Sequence, residues 1–445
     1  MRGEARVLRP DRSQLSWDLI DLEALLAPDH RARIVWSFVE SLDLAALYDA
    51  IGSREGEAGR PAADPKVMTA LWLYATLEGV GSARQLDRLA KRDLAYRWLA
   101  GGVPVNYHGL ADFRVGSGAV LDRLLTESVT ALVAEGLASL DEVAVDGTKV
   151  RSPASARSFT RGGRLERLER EATERIARLK REVDTDPAAG NRRRQQAQER
   201  AARQTLEKAA KAKATLEKLR NEKEAREKTH PGREKTKREP SVSLTDPEAR
   251  RMRFHDGAVR AGYNVQTAMA PETGLVAGVK TTDRRNDVGL AKPMIDDLAR
   301  RYGSAPSRAL FDAGYADKAD VEAMAAHPAG PVEVYMPPPT EKPDAELTAR
   351  KRRERQAKRA KQSKVLEDWR ARMQTDAAKP IFGRRKRGEL THAHYKNRGL
   401  GRLTVTGLVK TQAVVLWHAL TNNMMIAHRL RAEARARTNQ ALAAA

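Results

Sequence analysis

Residues 140–150, LDEVAVDGTKV, bring the first β-type pattern into a chain whose preceding residues repeat at helical spacing. Val143 and Val145 alternate with polar or small neighbours at the strand period of two, and Asp146-Gly147 closes the run. Asp146 is therefore expected at the carboxyl end of a strand. An Asp-Gly pair is also a common hairpin turn, and this stretch alone does not separate a turn aspartate from a working one.

Strand patterns return further on. In GYNVQTAMA (262–270) Tyr263, Val265, Thr267 and Met269 share one face, and PETG turns the chain into LVAGVKTT (275–282), which predicts a hairpin. After DRRND (283–287) a helix is expected from near Pro293, carrying Met294, Ile295 and Leu298 to a stop at Gly303. SRALFDAGY (307–315) is a short apolar strand ending at Asp312, Asp317 and Asp320 open another helix, and PVEVYMPPP (331–339) is a strand closed by prolines. Short buried strands between helices argue for an α/β fold whose mixed sheet has a parallel portion.

The residues before Leu140 read as short helices with tight turns. Asp64-Pro65 supplies an N-cap and a first-turn proline, and Val67, Ala70, Leu71, Tyr74 and Leu77 follow at helical spacing until Gly79 and Gly81. Ser82 with Gln85 begins a second helix whose Arg84, Arg88, Lys91 and Arg92 form a basic face. A helix-turn-helix DNA reader and a plain bundle share this spacing. Between Arg161 and His230, Leu165, Leu168, Ala172, Ile176, Leu179 and Val183 recur by threes and fours. The DTDPAAG break (184–190) follows, and Leu206, Ala209, Leu216 and Leu219 resume the repeat, as in an antiparallel helical hairpin with a narrow apolar seam. THPGREKTKREPS (229–241) reads as its flexible return.

Across 445 residues, 81 Lys plus Arg against 59 Asp plus Glu leave a formal charge of +22. Such an excess favours a polyanionic partner that releases counterions, above all nucleic acid. The chain has no cysteine, which excludes disulfides and thiolate metal sites, and no apolar run approaches the ~20 residues that a bilayer span needs. The opening MRGEARVLRPDRSQ lacks the apolar core of a signal peptide, so a cytoplasmic location is expected.

FGRRKRGELTHAHYK (382–396) holds one acid among many cations. On an α-helix Phe382, Arg385, Glu389, His392 and Lys396 would share one stripe, with Glu389 between cations. An exposed Arg–Glu pair explains this simply. A metal-binding carboxylate flanked by phosphate-gripping groups explains it too, and requires acids elsewhere. Asp146 and Asp312 meet that requirement: on parallel neighbouring strands their side chains leave the same rim of the sheet, where open α/β folds place ligands. Mg²⁺ suits such carboxylates, and two ions ~3.5–4 Å apart can drive phosphoryl displacement. His392 and His394 do not stand at the zinc-helix spacing to Glu389 and are expected at phosphate or on the surface; His418 is expected in the core. KRRERQAKRAKQSK (351–364) is expected as a solvated charge run or a DNA-tracking one.

Phe382, Arg385, Glu389 and Lys396, with two, three and six residues between them, resemble the Tyr-Arg-Glu-Lys signature of DDE transposases of bacterial insertion sequences. LFDAGY resembles that family's second-aspartate strand and VAVDGTKV its first, with NVQ and RRND as landmarks between them. The segment KNRGLGRLTVTGLVKTQAVVLWHALTNNM (396–424) is similar to the tail of insertion-sequence group eleven-eighty-two. The resemblance implies an RNase H-like catalytic core at 139–160 and 250–430, an N-terminal helical DNA-binding region at 1–138, an inserted charged hairpin at 161–240 and a flexible tail at 431–445. It further implies that Asp146, Asp312 and Glu389 hold two Mg²⁺ ions, with Mn²⁺ able to substitute. Arg385 and Lys396 would contact phosphate. Cutting and joining would occur at the inverted repeats on double-stranded DNA, in a homodimer when ends are paired, in the nucleoid. Phe382 departs from the signature tyrosine and brings no hydroxyl. A decayed DNA-binding copy, or an RNase H-like nuclease without strand transfer, would present much the same sequence.

Overall fold

A computed structural model describes residues 21–53, 61–185, 192–229, 239–339 and 346–444. Among the described residues before the sheet there are seven α-helices: α1 (Arg31–Glu40), α2 (Ala45–Asp49), α3 (Pro65–Leu77), α4 (Ala83–Arg92), α5 (Leu94–Ala100), α6 (Tyr107–Gly116) and α7 (Gly118–Ala134). Asp64 caps α3, its carboxylate accepting from the Lys66 amide at 2.7 Å and from the Tyr48 hydroxyl at 2.6 Å. The α3 helix is buried on nearly all sides, which makes it the axis of the bundle. Asp64→Ala is expected to lower stability by about 1 kcal/mol, measured by urea denaturation, because it strips the cap and unpairs Tyr48. In α4, Leu86 and Ala90 turn inward while Arg84, Arg88, Lys91 and Arg92 stay exposed.

Next come β1 (Glu142–Arg151), β2 (Phe159–Thr160), α8 (Gly162–Thr185), α9 (Arg192–Thr229), β3 (Val242–Ser243), β4 (Arg250–Arg253), β5 (Val259–Met269) and β6 (Val276–Thr282). The remaining elements are α10 (Ala291–Tyr302), β7 (Arg308–Phe311), α11 (Lys318–Ala325), β8 (Glu333–Tyr335), α12 (Ala349–Ala360), α13 (Lys364–Gln374), α14 (Ala378–Gly383), α15 (Arg387–Tyr395) and α16 (Leu408–Ala444). The main sheet runs β4-β5-β1-β7-β8, with β6 also paired to β5. β5 is antiparallel to β1 and β6 to β5, while β1, β7 and β8 are mutually parallel. This mixed sheet flanked by helices, behind a helical N-terminal region, has the RNase H-like form expected.

Three expectations are corrected. The first strand does not end at Asp146-Gly147: β1 runs on to Arg151, because beyond its parallel partner it keeps a full antiparallel partner in β5, down to Arg151 opposite Gly262. The stripe from Phe382 to Lys396 is not one helix. Arg384–Lys386 form a 3₁₀ turn between α14 and α15, and its three residues per turn rotate Phe382 and Arg385 relative to Glu389. The tail expected at 431–445 is helical through Ala444, where α16 continues with an exposed surface.

The helical region and the sheet share a core. Trp72, Leu71 and Leu121 belong to the same buried cluster as Tyr263 and Val265 of β5 and Val415, Trp417 and Leu420 of α16. Arg114, buried, lays its guanidinium 4.6 Å from the Trp72 ring and donates to the Gly81 carbonyl at 2.7 Å and to Thr404. The 396–424 segment is thus the strap that welds both parts, and His418 within it is buried as expected.

The hairpin of α8 and α9 has the expected narrow seam, with Leu165, Ala172, Leu179, Ala209, Leu216 and Leu219 buried and charged residues outside. The small β2–β3 ribbon closes its base. Arg250 ties it to the core, donating to Asp283 at 2.6 and 3.0 Å while lying 3.8 Å from Glu222 of α9. Most of the predicted flexible return, 230–238, lies outside the described residues, as do 186–190 of DTDPAAG. α12, the charge run, is exposed along nearly its whole length.

Candidate active site

The parallel register of β1 and β7 builds the site. Val145 stands opposite Phe311 in the last parallel pair, so Asp146, within β1, and Asp312, just past β7, come next in register where that pairing stops. Asp312 caps the turn that follows, its Oδ1 accepting from the Gly314 amide at 2.7 Å. Asp146 Oδ1 accepts from the Gly147 amide at 2.9 Å. Its Oδ2 faces two nitrogens of the 382–396 segment, Arg385 Nη1 at 3.7 Å and His392 Nδ1 at 3.6 Å.

Only 14% of the Asp146 side chain is exposed. Burial pushes its carboxyl up to about 6; the Arg385 guanidinium opposes this, and the charges of Asp312 and Asp287 add to it. Negative charge thus accumulates at this rim with incomplete compensation, the electrostatic condition under which a divalent cation is welcome.

Glu389 is placed differently from the aspartates. Its side chain is 65% exposed, and its nearest cation is Arg385, Nη2 to Oε1 at 3.8 Å. The buried face of α15 is Gly388, Thr391, His392 and Tyr395, which leaves Glu389 at its edge. Among the described residues no three Asp, Glu or His side chains converge closely enough to hold a metal ion. The structure therefore sets Asp146 and Asp312 next to each other in strand register and leaves Glu389 apart, with Arg385 between it and Asp146. Phe382 lies under that arginine, ring centroid to guanidinium 5.6 Å, and Lys396 is exposed just past α15. The carboxylates are oxygen donors of the kind that a hard divalent cation takes.

Gly388 explains how α15 comes so near. A Cβ there would lie 3.3 Å from Asp146 Cβ and 3.5 Å from Met269 Cε. Gly388→Leu is expected to cost about 1–3 kcal/mol by overpacking and to lift α15 off β1. Thermal melting checks the first effect. Loss of metal-dependent activity with a folded far-UV spectrum checks the second.

The NVQ and RRND landmarks build a second layer whose role the sequence did not assign. Asp287 Oδ1 accepts from Asn264 Nδ2 at 2.7 Å and from Gln266 Nε2 at 2.8 Å, and the Tyr315 hydroxyl donates to Gln266 Oε1. Gly147 makes room: a Cβ there would stand 2.6 Å from Gln266 Nε2 and 2.7 Å from Asp287 Oδ1. The glycine that resembles a turn signal is in fact the place where a strand lets an acid pass. The signal was present, since Asn264 and Gln266 put two buried amides on one face of a strand, and such amides need a partner. The surface position expected for His392 is corrected: it is buried beside Asp146.

Residues 235–424 match the transposase DDE domain family, and residues 20–115 match a family described as a transposase domain (DUF772). Residues 235–424 are thus similar to a transposase DDE domain. No curated protein and no solved structure gives a significant match to the chain. The DDE match includes Asp312 and Glu389 but begins after Asp146, so the place of Asp146 in the site rests on strand pairing. DDE transposases as a family use divalent metal ions and act on DNA. Among the described residues no helix is long and apolar enough to cross a membrane.

Proposed function

We propose that this chain is the transposase of a bacterial insertion sequence, of the Tyr-Arg-Glu-Lys branch and group eleven-eighty-two, cutting DNA at the ends of its element and joining the freed 3′-hydroxyls to a target. The observation that supports it is the parallel pairing of β1 with β7, with Asp146 and Asp312 next in register, together with the match of residues 235–424 to a transposase DDE domain. Asp146, Asp312 and Glu389 are the acids of the reaction, Glu389 completing the set once Arg385 lets it turn inward. Arg385 and Lys396 hold phosphate near the scissile bond. Bound divalent ions, Mg²⁺ or Mn²⁺ and two in number, supply activation of water or hydroxyl and stabilisation of the leaving oxygen. Phe382 keeps the packing surface under Arg385 without a hydroxyl.

The N-terminal helices, with the exposed basic face of α4, bind the terminal repeats, and the formal charge of +22 supplies the salt-sensitive part of the affinity. Residues 1–138 serve as the DNA-binding region, 139–160 with 250–430 as the catalytic core and 161–240 as an insertion, in a cytoplasmic, nucleoid-associated protein that pairs two ends as a homodimer. The test uses purified protein, Mg²⁺ or Mn²⁺, and duplex DNA ending in the inverted repeats that flank the gene. Cleavage with strand joining supports the proposal. Binding without cutting would assign a decayed copy, and cutting without joining would assign a nuclease.

A further inference from the structure

Nothing that α12 buries explains it. Of its 12 residues seven are Lys or Arg and one, Glu354, is acidic, and its apolar residues are all alanine. None of its described side chains is buried, whereas a helix of this length is ordinarily held by an apolar face. Glu354 offsets Arg350 at 3.4 Å, but Lys351 with Arg355 and Arg355 with Arg359 set like charges one turn apart, which weakens a helix. A polyanion relieves that repulsion. The fold says where the polyanion lies. β8 is parallel to β7, with Tyr335 opposite Leu310, so the chain leaves β8 at the end of the sheet where Asp312 follows β7. It returns as α13, whose Trp369 Nε1 donates to the Met336 carbonyl at 2.9 Å and whose Arg372 Nη1 donates to the Val334 carbonyl at 3.0 Å. α13 thus runs back down β8 from that end, and α12, between the two, stands out from the rim that carries the aspartates. In strand order β8 lies beyond β7, while the N-terminal helices share their core with β5 and β6. Asp146 and Asp312 lie between these two sides.

We infer that α12 is a sequence-neutral grip on the target duplex, holding its phosphates beside the aspartates on the side away from the N-terminal helices. This rests on the transposase reading of the site. An element end held by the N-terminal helices reaches the aspartates from the β5 side, and a second duplex finds its countercharge on the β8 side. Sequence neutrality follows from how the charge is laid out. Arg350, Lys351, Arg352 and Arg353 are consecutive, so at about 100° per residue they point to every side of the helix. No single face is set apart to enter a groove and read base edges, and contacts to phosphate carry no sequence information.

The test compares the full-length wild type with the triple variant Lys351→Gln, Arg352→Gln, Arg353→Gln, whose three positions are exposed and whose Tm is expected to match the wild type. Both are titrated with random-sequence duplex over a range of salt, then assayed for cleavage of an element end and for joining of a pre-cut end to plasmid DNA. In the variant the slope of log affinity against log salt is expected to shrink by about 2–3, close to one for each lost phosphate contact. Joining is expected to fall by about tenfold or more while cleavage stays within about twofold. An unchanged slope with unchanged joining overturns the α12 assignment and leaves the transposase reading intact. Equal loss of cleavage and joining also overturns it, because α12 would then serve the element end and not the target. In a wild type that cuts and joins nothing the transposase reading falls; a slope that still depends on α12 keeps it as a duplex grip, and one that does not overturns both.

Discussion

Asp146→Asn is expected to abolish DNA cleavage and joining while leaving a more stable protein. The loss follows from position. Asp146 is 14% exposed against 65% for Glu389, and removing its charge removes the proposed anchor for a cation and the partner of Arg385. A deficit of about 4 kcal/mol in transition-state stabilisation corresponds to about 10³-fold in rate, enough to put turnover below detection in a gel assay. DNA binding, carried by basic surfaces elsewhere, is expected to persist within about twofold.

The gain in stability follows from the same burial. The folded-state carboxyl titrates near 6 against an ordinary 3.8, so the folded chain holds this proton more tightly than the unfolded one. The associated stability is complete at pH below the ordinary value and is lost as pH rises through 6. At pH 8 without divalent ions the wild type has lost it, whereas the asparagine, always neutral, has nothing to lose. The difference is on the order of 2–3 kcal/mol, or about 2–3 °C in Tm for a chain of this size. Melting curves in chelator at pH 8 check it. A lower Tm for Asp146→Asn would show that its carboxylate is held more favourably than its surroundings indicate, and wild-type cleavage would remove it from the site.

The second large effect is Trp417→Ala, expected to cost about 3–5 kcal/mol in chemical denaturation. Trp417 is fully buried where α16 meets the N-terminal helices, and its Nε1 donates to the Arg114 carbonyl at 2.9 Å. Truncation opens a cavity in the core that the helical region shares with the sheet and leaves that carbonyl unpaired. Trp417→Phe keeps most of the volume and loses the hydrogen bond, so about 1–2 kcal/mol is expected. A loss below 1 kcal/mol for the alanine variant would mean that the two parts do not depend on this contact.

Local chemistry was readable wherever a residue's partner lies within a few positions. The Asp64-Pro65 start of α3, the Ser82 start of α4, the seam of the hairpin and the end of β7 at Asp312 all came from short-range rules, because caps and periodicities act within one or two turns. The adjacency of Asp146 and Asp312 was expected from parallel strands, although Asp146 lies within β1 and not at its end.

What the sequence by itself determined is an α/β chain with an RNase H-like order of strands and helices, and two aspartates at one rim. The tertiary structure alone decided the rest. Gly147 continues a strand because β5 pairs beyond it and Asp287 needs the space above it. Glu389 stands at the edge of α15 because a 3₁₀ turn at Arg384–Lys386 resets the helical phase, which no spacing rule registers. His392 lies inward because Gly388 lets α15 sit against Asp146. In each case the deciding contact joins residues more than a hundred positions apart, or depends on a rotation of a few tens of degrees, and neither leaves a periodic mark in the chain.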